Sequence, residues 1–105
     1  MIDNEIRDIL RERETIYSED YVAVERCWEK EIALLTNSID ETIDFIANRC
    51  SGGEFAWLSE VFEEVFEKTQ SERFRQCLLA VAEKYPDETR EYNILDFIVA
   101  TKEEE

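Results

Sequence analysis

The chain has 105 residues, a net charge of −15 from 27 acidic and 12 basic residues, three cysteines and no histidine. This length supports one domain, 1–105, and the missing histidine excludes an imidazole base, His-assisted nucleophiles and His metal ligands. The acid excess disfavours direct binding to nucleic acid or to an anionic membrane, and it favours a basic protein surface as partner.

Apolar residues recur every three to four positions along almost the whole chain, which predicts helices and almost no strand. A first helix begins near Ile2 and ends near Tyr17, and Ser18 is the predicted N-cap of the second helix. The stripe of that second helix consists of Tyr21, Val24, Trp28, Ile32 and Leu35. Glu31 lies on its apolar side, where a buried carboxylate would need a partner or a raised pKa. We expect it instead at the core boundary, reaching solvent.

Capping signals divide the middle of the chain. Ser38 and Glu41 form a predicted capping box at the start of the third helix. The segment 51–54, Ser-Gly-Gly-Glu, supplies a C-terminal glycine for that helix and a capping box for the fourth. So short a connection predicts that the third and fourth helices are antiparallel neighbours.

The remaining helices complete an all-α prediction. The fourth helix runs to about Gln70, the fifth ends before Pro86, and a closing helix spans about 94–99. The predicted fold class is therefore a single-domain bundle, or a HEAT-like stack, of five to six helices.

The three cysteines show no metal-binding pattern. Cys27, Cys50 and Cys77 are widely spaced and lie on or beside apolar stripes, which is typical of reduced core residues. A structural zinc site usually needs four Cys or His ligands. No metal and no cofactor is predicted, and the reactive-thiol alternative is less favoured.

Acidic residues of the third and fourth predicted helices could share one surface if these helices pack side by side. The predicted partner-binding face consists of Asp40, Glu41, Asp44, Trp57, Glu60, Glu63, Glu64 and Glu67. A solvated surface is the ordinary explanation of charge runs, but −15 exceeds the charge of magnitude about 2 to 8 typical of a small domain. Trp57 falls off the main apolar stripe, so it is either an interface anchor or a residue packed under a neighbouring helix.

Three segments carry a family resemblance. At residues 54–60 (EFAWLSE), 68–71 (KTQS) and 84–86 (KYP), the chain resembles small acidic all-helical bacterial immunity proteins of polymorphic toxin systems, with contact-dependent growth inhibition as the nearest group. The resemblance covers roughly the last two thirds of the chain and has no catalytic signature. It implies a protein that binds a toxin domain tightly, commonly a basic nuclease, and blocks its active site or an adjacent surface.

The expected function is therefore neutralisation of a cationic toxin domain, in the cytoplasm, by a protein that is not an enzyme. Two alternatives remain open: a helical adaptor in a larger complex, and a nucleic-acid mimic that binds a basic host protein. The cytoplasmic expectation comes from the N-terminal sequence, which lacks the basic and apolar regions of a signal peptide.

Overall fold

The computed structural model describes the backbone of residues 2–17 and 19–103, and the side chains of these residues up to Ile98. The described residues form helices and no strand, which confirms the all-α prediction. The α-helices are α1 (Asp3–Thr15), α2 (Tyr21–Asn37), α3 (Ile39–Asn48), α4 (Gly52–Leu58), α5 (Phe62–Thr69), α6 (Glu72–Lys84), α7 (Pro86–Glu91) and α8 (Ile94–Glu103). A 3-10 turn, Ser59–Val61, joins α4 to α5.

The helices form a compact bundle rather than a HEAT-like stack. Its extents are nearly equal, 31 × 29 × 27 Å. A solenoid would pack each helix mainly on its neighbours in sequence, whereas here α3 packs on α6, α5 on α8 and on α2, and α1 on α4. The core draws buried side chains from every helix except α7, with four phenylalanines, Phe45, Phe55, Phe62 and Phe74, fully buried in it.

The helix count exceeds the predicted five or six because the predicted fourth helix is interrupted and a short helix, α7, precedes the closing helix. The predicted fourth helix is divided into α4 and α5 by the 3-10 turn, where Val61 leaves helical geometry (φ −118°, ψ 7°). The C-terminal region is divided by Asn93, which adopts a left-handed conformation (φ 53°) between α7 and α8. Each residue of a 3-10 turn advances by about 120° instead of about 100°, so the turn rotates the α5 side chains relative to a continuous helix by about 60°.

Capping explains where several helices begin. The Ser51 hydroxyl accepts a hydrogen bond from the Glu54 amide, and the Glu54 carboxylate accepts one from the Ser51 amide, which confirms the predicted capping box. Ser38 caps α3 by accepting from the Glu41 amide at 3.5 Å. The N-cap of α2 is Asp20, which accepts from the Ala23 amide at 3.2 Å. The prediction for Ser18 falls outside the described residues.

The glycine pair differs from its predicted role. Gly52 and Gly53 are the first residues of α4, neither has a positive φ, and α3 ends at Arg49 without a glycine cap. The predicted side-by-side hairpin of the third and fourth helices is also wrong, because the extensive contacts of α3 are with α6 and α2. Gly52 instead allows a close approach by α7: a Cβ there would lie 2.8 Å from the Glu88 carboxylate.

Candidate functional site

The predicted acidic face divides into separate groups of residues. Asp40, Glu41 and Asp44 lie on α3, and all three are exposed. Asp40 forms an ion pair with Arg73 of α6 at 2.8 Å, and Asp44 pairs with Arg49 at 2.6 Å. Two of these three carboxylates therefore have an ion-pair partner within the chain: that of Asp40 lies on α6, and that of Asp44 lies at the end of α3, where Arg49 also pairs with Asp3.

The α5 glutamates, Glu63, Glu64 and Glu67, form the second group. Glu64 and Glu67 are exposed and Glu63 is half-buried. Within the described residues, none of their carboxylates forms an ion pair or a hydrogen bond. Their charges face solvent without an internal counter-ion, which leaves them available to a basic partner.

Glu60, in the 3-10 turn, serves a different purpose. Arg13 of α1 donates two hydrogen bonds to its carboxylate, at 3.0 and 2.8 Å, and the Trp28 indole of α2 donates a third at 3.1 Å. Arg13 is only 6% exposed. The Arg13–Glu60 pair therefore holds α1 against the 3-10 turn, and the Trp28 hydrogen bond holds α2 there; removing Glu60 would leave the buried Arg13 charge without a partner, which is costly.

The Trp57 ring lies in the same region, beside Arg13 of α1. Its indole nitrogen donates to Glu14 at 3.1 Å, and the Arg13 guanidinium lies over the ring at 5.0 Å from the centroid. The ring is half-buried and packs against the hydrophobic core. Of the predicted face, the structure brings together Trp57 and Glu60, through Arg13, and it separates them from the α3 acids.

Glu31 does not lie where its sequence position predicts. Its side chain is fully buried rather than at the core boundary, and neither carboxylate oxygen has a hydrogen-bond partner. Burial, together with the nearby charge of Glu60, raises the pKa of Glu31 to about 8, against a smaller opposing effect of Arg13. A buried carboxylate shifted this far is held largely neutral at physiological pH.

Arg13 was also missed, although the sequence contains a signal for it. Ile6, Leu10 and Arg13 follow one another at helical spacing, so a charged residue continues an apolar stripe. A guanidinium in such a position needs a carboxylate partner, but the sequence does not identify Glu60 as that partner.

A cleft of about 480 Å³, called here the aromatic cleft, lies beside Arg13, Trp57 and Glu60. It opens between α1, α4, the 3-10 turn and the α7–α8 region. Its aromatic and charged lining consists of Trp57, Tyr92, Phe97, Arg13, Glu60, Glu88 and Glu91. Tyr92 and Phe97 are 54% and 37% exposed, so both rings are accessible from solvent. Neither residue is among those predicted from the sequence to bind a partner.

A larger concavity, about 700 Å³, lies between α6, α7 and α8 and presents mostly apolar surface. No group of three or more His, Cys, Asp or Glu side chains in the described residues could hold a metal ion.

The cysteines lie where the sequence predicts. Cys27 and Cys50 are buried and Cys77 is half-buried, all three as free thiols. Burial raises the pKa of Cys27 to about 11 and that of Cys50 to about 12, and it also raises the pKa of Cys77. Thiols with raised pKa values carry little thiolate at neutral pH and are poor nucleophiles.

Most of the basic side chains are engaged within the chain. Among the described residues, eight of the 12 basic residues form ion pairs with nine carboxylates, against 27 acids in the sequence. The internal ion pairs therefore leave the acid excess uncompensated, and the surface potential is negative.

Comparisons with known proteins return no relative. No protein-family model, no curated protein and no solved structure matches this chain. Among the described residues, no helix has both the length and the apolar character needed to span a membrane.

Proposed function

We propose that this protein neutralises a toxin by binding a cationic toxin domain, as an immunity protein does, through acidic surface that includes the α5 glutamates. The observation that carries the proposal is the uncompensated acid: the basic residues are largely used in internal pairs, whereas Glu63, Glu64 and Glu67 have no counter-ion among the described residues. Like charges held on one short helix repel one another, and a basic partner relieves that repulsion.

The arrangement of charge suits rapid capture. Exposed carboxylates raise the rate at which a cationic protein associates, and they contribute less to the lifetime of the complex. A nuclease domain has a basic surface because it must attract the phosphates of its substrate. A protein that covers this surface competes directly with nucleic acid.

The internal contacts also decide which acids are suitable for a test. Glu60 holds the buried Arg13, so reversing its charge would damage the fold rather than probe a surface. Glu64 and Glu67 are exposed and make no such contact. Glu5 and Glu83 are exposed on α1 and α6 and provide a control with the same change in net charge.

The experiment begins with the gene immediately upstream of this one: we expect it to encode a toxin domain, and that domain is coexpressed with this chain. We expect the domain alone to arrest growth, the wild-type chain to relieve the arrest, and the purified pair to form a stoichiometric complex. The variant Glu64→Lys/Glu67→Lys should bind more slowly and protect less, whereas Glu5→Lys/Glu83→Lys should protect as the wild type does. Failure to protect, or a partner that proves to be a non-toxic host protein, would contradict the proposal.

A further inference from the structure

The lining of the aromatic cleft combines exposed aromatic rings with carboxylates. Tyr92 and Phe97 expose aromatic rings, and Glu88 and Glu91 supply carboxylates on the adjoining α7. Aromatic faces attract cations through the ring quadrupole, and carboxylates attract the same cations by charge.

The charge of the cleft is negative despite the presence of Arg13. The two hydrogen bonds from Arg13 to Glu60 pair these charges with each other. Among the residues whose side chains the structure describes, Glu88 and Glu91 form no ion pair and Arg13 is the one cation that lines the cleft. A cation that entered would therefore meet two uncompensated carboxylates.

Trp57 already shows this chemistry inside the protein. The Arg13 guanidinium lies over its ring, 5.0 Å from the centroid, while bound to the Glu60 carboxylate. A guanidinium held between an aromatic ring and a carboxylate is thus a stable arrangement at this site. The rings of Tyr92 and Phe97, next to Glu88 and Glu91, provide the same two elements without an internal guanidinium to occupy them.

We propose that the aromatic cleft binds the guanidinium group of an arginine side chain on a partner protein. Arginine fits better than lysine because its planar, weakly hydrated cation can stack on a ring and donate two parallel hydrogen bonds to a carboxylate. A volume of about 480 Å³ also leaves space for the chain that flanks the arginine. This inference rests on the proposed function for its partner, but the cleft can be tested without that partner.

The first experiment is an NMR titration of the isolated, isotopically labelled protein with N-acetyl-arginine amide. We expect shifts at the Trp57 indole and at backbone amides of 88–97. N-acetyl-citrulline amide, which has nearly the same shape and no charge, should cause no such shifts, and N-acetyl-lysine amide should bind several-fold more weakly. Equal binding of the lysine compound would overturn the assignment to arginine.

Matched variants separate the cleft from general attraction by an acidic protein. Tyr92→Leu removes a ring without changing charge and should weaken arginine-amide binding about threefold or more, whereas Tyr21→Leu, at an exposed tyrosine elsewhere, should not. Glu91→Gln should weaken binding more than Glu29→Gln, since both glutamates are exposed but only Glu91 lines the cleft. Equal effects within either pair would overturn the proposal.

The toxin assay then distinguishes this inference from the proposed function. Suppose that Tyr92→Leu protects as well as the wild type while Glu64→Lys/Glu67→Lys does not. The partner then does not bind in the aromatic cleft, which overturns this inference, and the proposed function stands. If no variant and no wild-type chain protects, the proposed function fails whatever the titration shows.

Discussion

Replacing the buried Glu31 should change how stability depends on pH. Glu31 is fully buried without a hydrogen-bond partner, and its pKa is raised from an ordinary 4.5 to about 8. The native state therefore holds a proton that the unfolded chain has released between these two pH values. Because the unfolded state binds fewer protons there, the free energy of unfolding falls as pH rises through this window. The contribution of neutral Glu31 is complete below about pH 4.5 and lost above about pH 8.

The size of the effect follows from linkage. One proton gives a slope of at most about 1.4 kcal/mol per pH unit, so the window from 4.5 to about 8 amounts to roughly 3 to 5 kcal/mol. That is a large share of the roughly 5 to 15 kcal/mol typical of a small domain. Glu31→Gln keeps the shape of the side chain and removes its titration.

The assay is urea unfolding followed by far-UV circular dichroism, at several pH values from 4.5 to 9 and at constant ionic strength. The difference between wild type and Glu31→Gln isolates Glu31 from the general self-repulsion that both share. We expect wild type to lose roughly 3 to 5 kcal/mol relative to the variant across this range. Glu29 is exposed on the same helix, so the difference in free energy of unfolding between wild type and Glu29→Gln should not change with pH.

If the stability difference between wild type and Glu31→Gln does not change with pH, Glu31 titrates normally in the native state and its carboxylate is not held neutral by burial. Glu31→Leu provides a second check, since it leaves no buried polar group. It should be more stable than wild type at pH 8.5, and a loss of stability there would also count against a buried, unpaired carboxylate.

Further predictions concern the contacts around Arg13 and the thiols. Arg13→Ala should lower the free energy of unfolding by about 3 kcal/mol because it leaves a carboxylate without its partner; a loss below 1 kcal/mol in urea unfolding would contradict a buried pair. Trp57→Ala should cost about 2 kcal/mol by removing a half-buried ring, and an unchanged melting temperature would disprove its packing role. Ser51→Ala should cost about 1 kcal/mol through loss of the α4 cap, with no loss expected if the cap is dispensable. Cys27 and Cys50 should resist a thiol reagent at pH 8 until the protein unfolds, and rapid labelling of the native state would contradict their raised pKa values.

Local features were predictable from the sequence because they depend on neighbouring residues. The box formed by Ser51 and Glu54, the cap at Ser38 and the end of α5 near Gln70 all lie where short-range patterns indicate. Each depends on hydrogen bonds between residues two to four positions apart, so the order of residue types is sufficient.

Arrangement between helices was not predictable in the same way. The short connection through Gly52 and Gly53 suggested that the α3 and α4 stripes are adjacent, but α3 packs mainly on α6, which follows much later in the chain. The 3-10 turn also rotates the α5 side chains relative to the single continuous helix that the sequence predicts. One continuous helical wheel therefore could not place Trp57 and Glu67 on a common surface.

Charge burial depended on the same long-range packing. Arg13 and Glu60 are 47 residues apart in sequence, and their pairing follows from how α1 meets the 3-10 turn. Glu31 has no such partner. The sequence prediction placed it near solvent because it assumed that a buried carboxylate always has a partner. A carboxylate on an apolar stripe can remain buried when it stays protonated.

Stopped-flow association with the toxin domain, measured over a range of salt concentrations, decides whether the α5 glutamates capture a cationic partner. We expect a wild-type association rate that falls steeply with salt, by tenfold or more between low and physiological ionic strength. Glu64→Lys/Glu67→Lys should associate more slowly at low salt and with a shallower salt dependence, and Glu5→Lys/Glu83→Lys should change both far less. An association rate that is independent of salt, or equal effects of the two double variants, would contradict capture through the α5 glutamates.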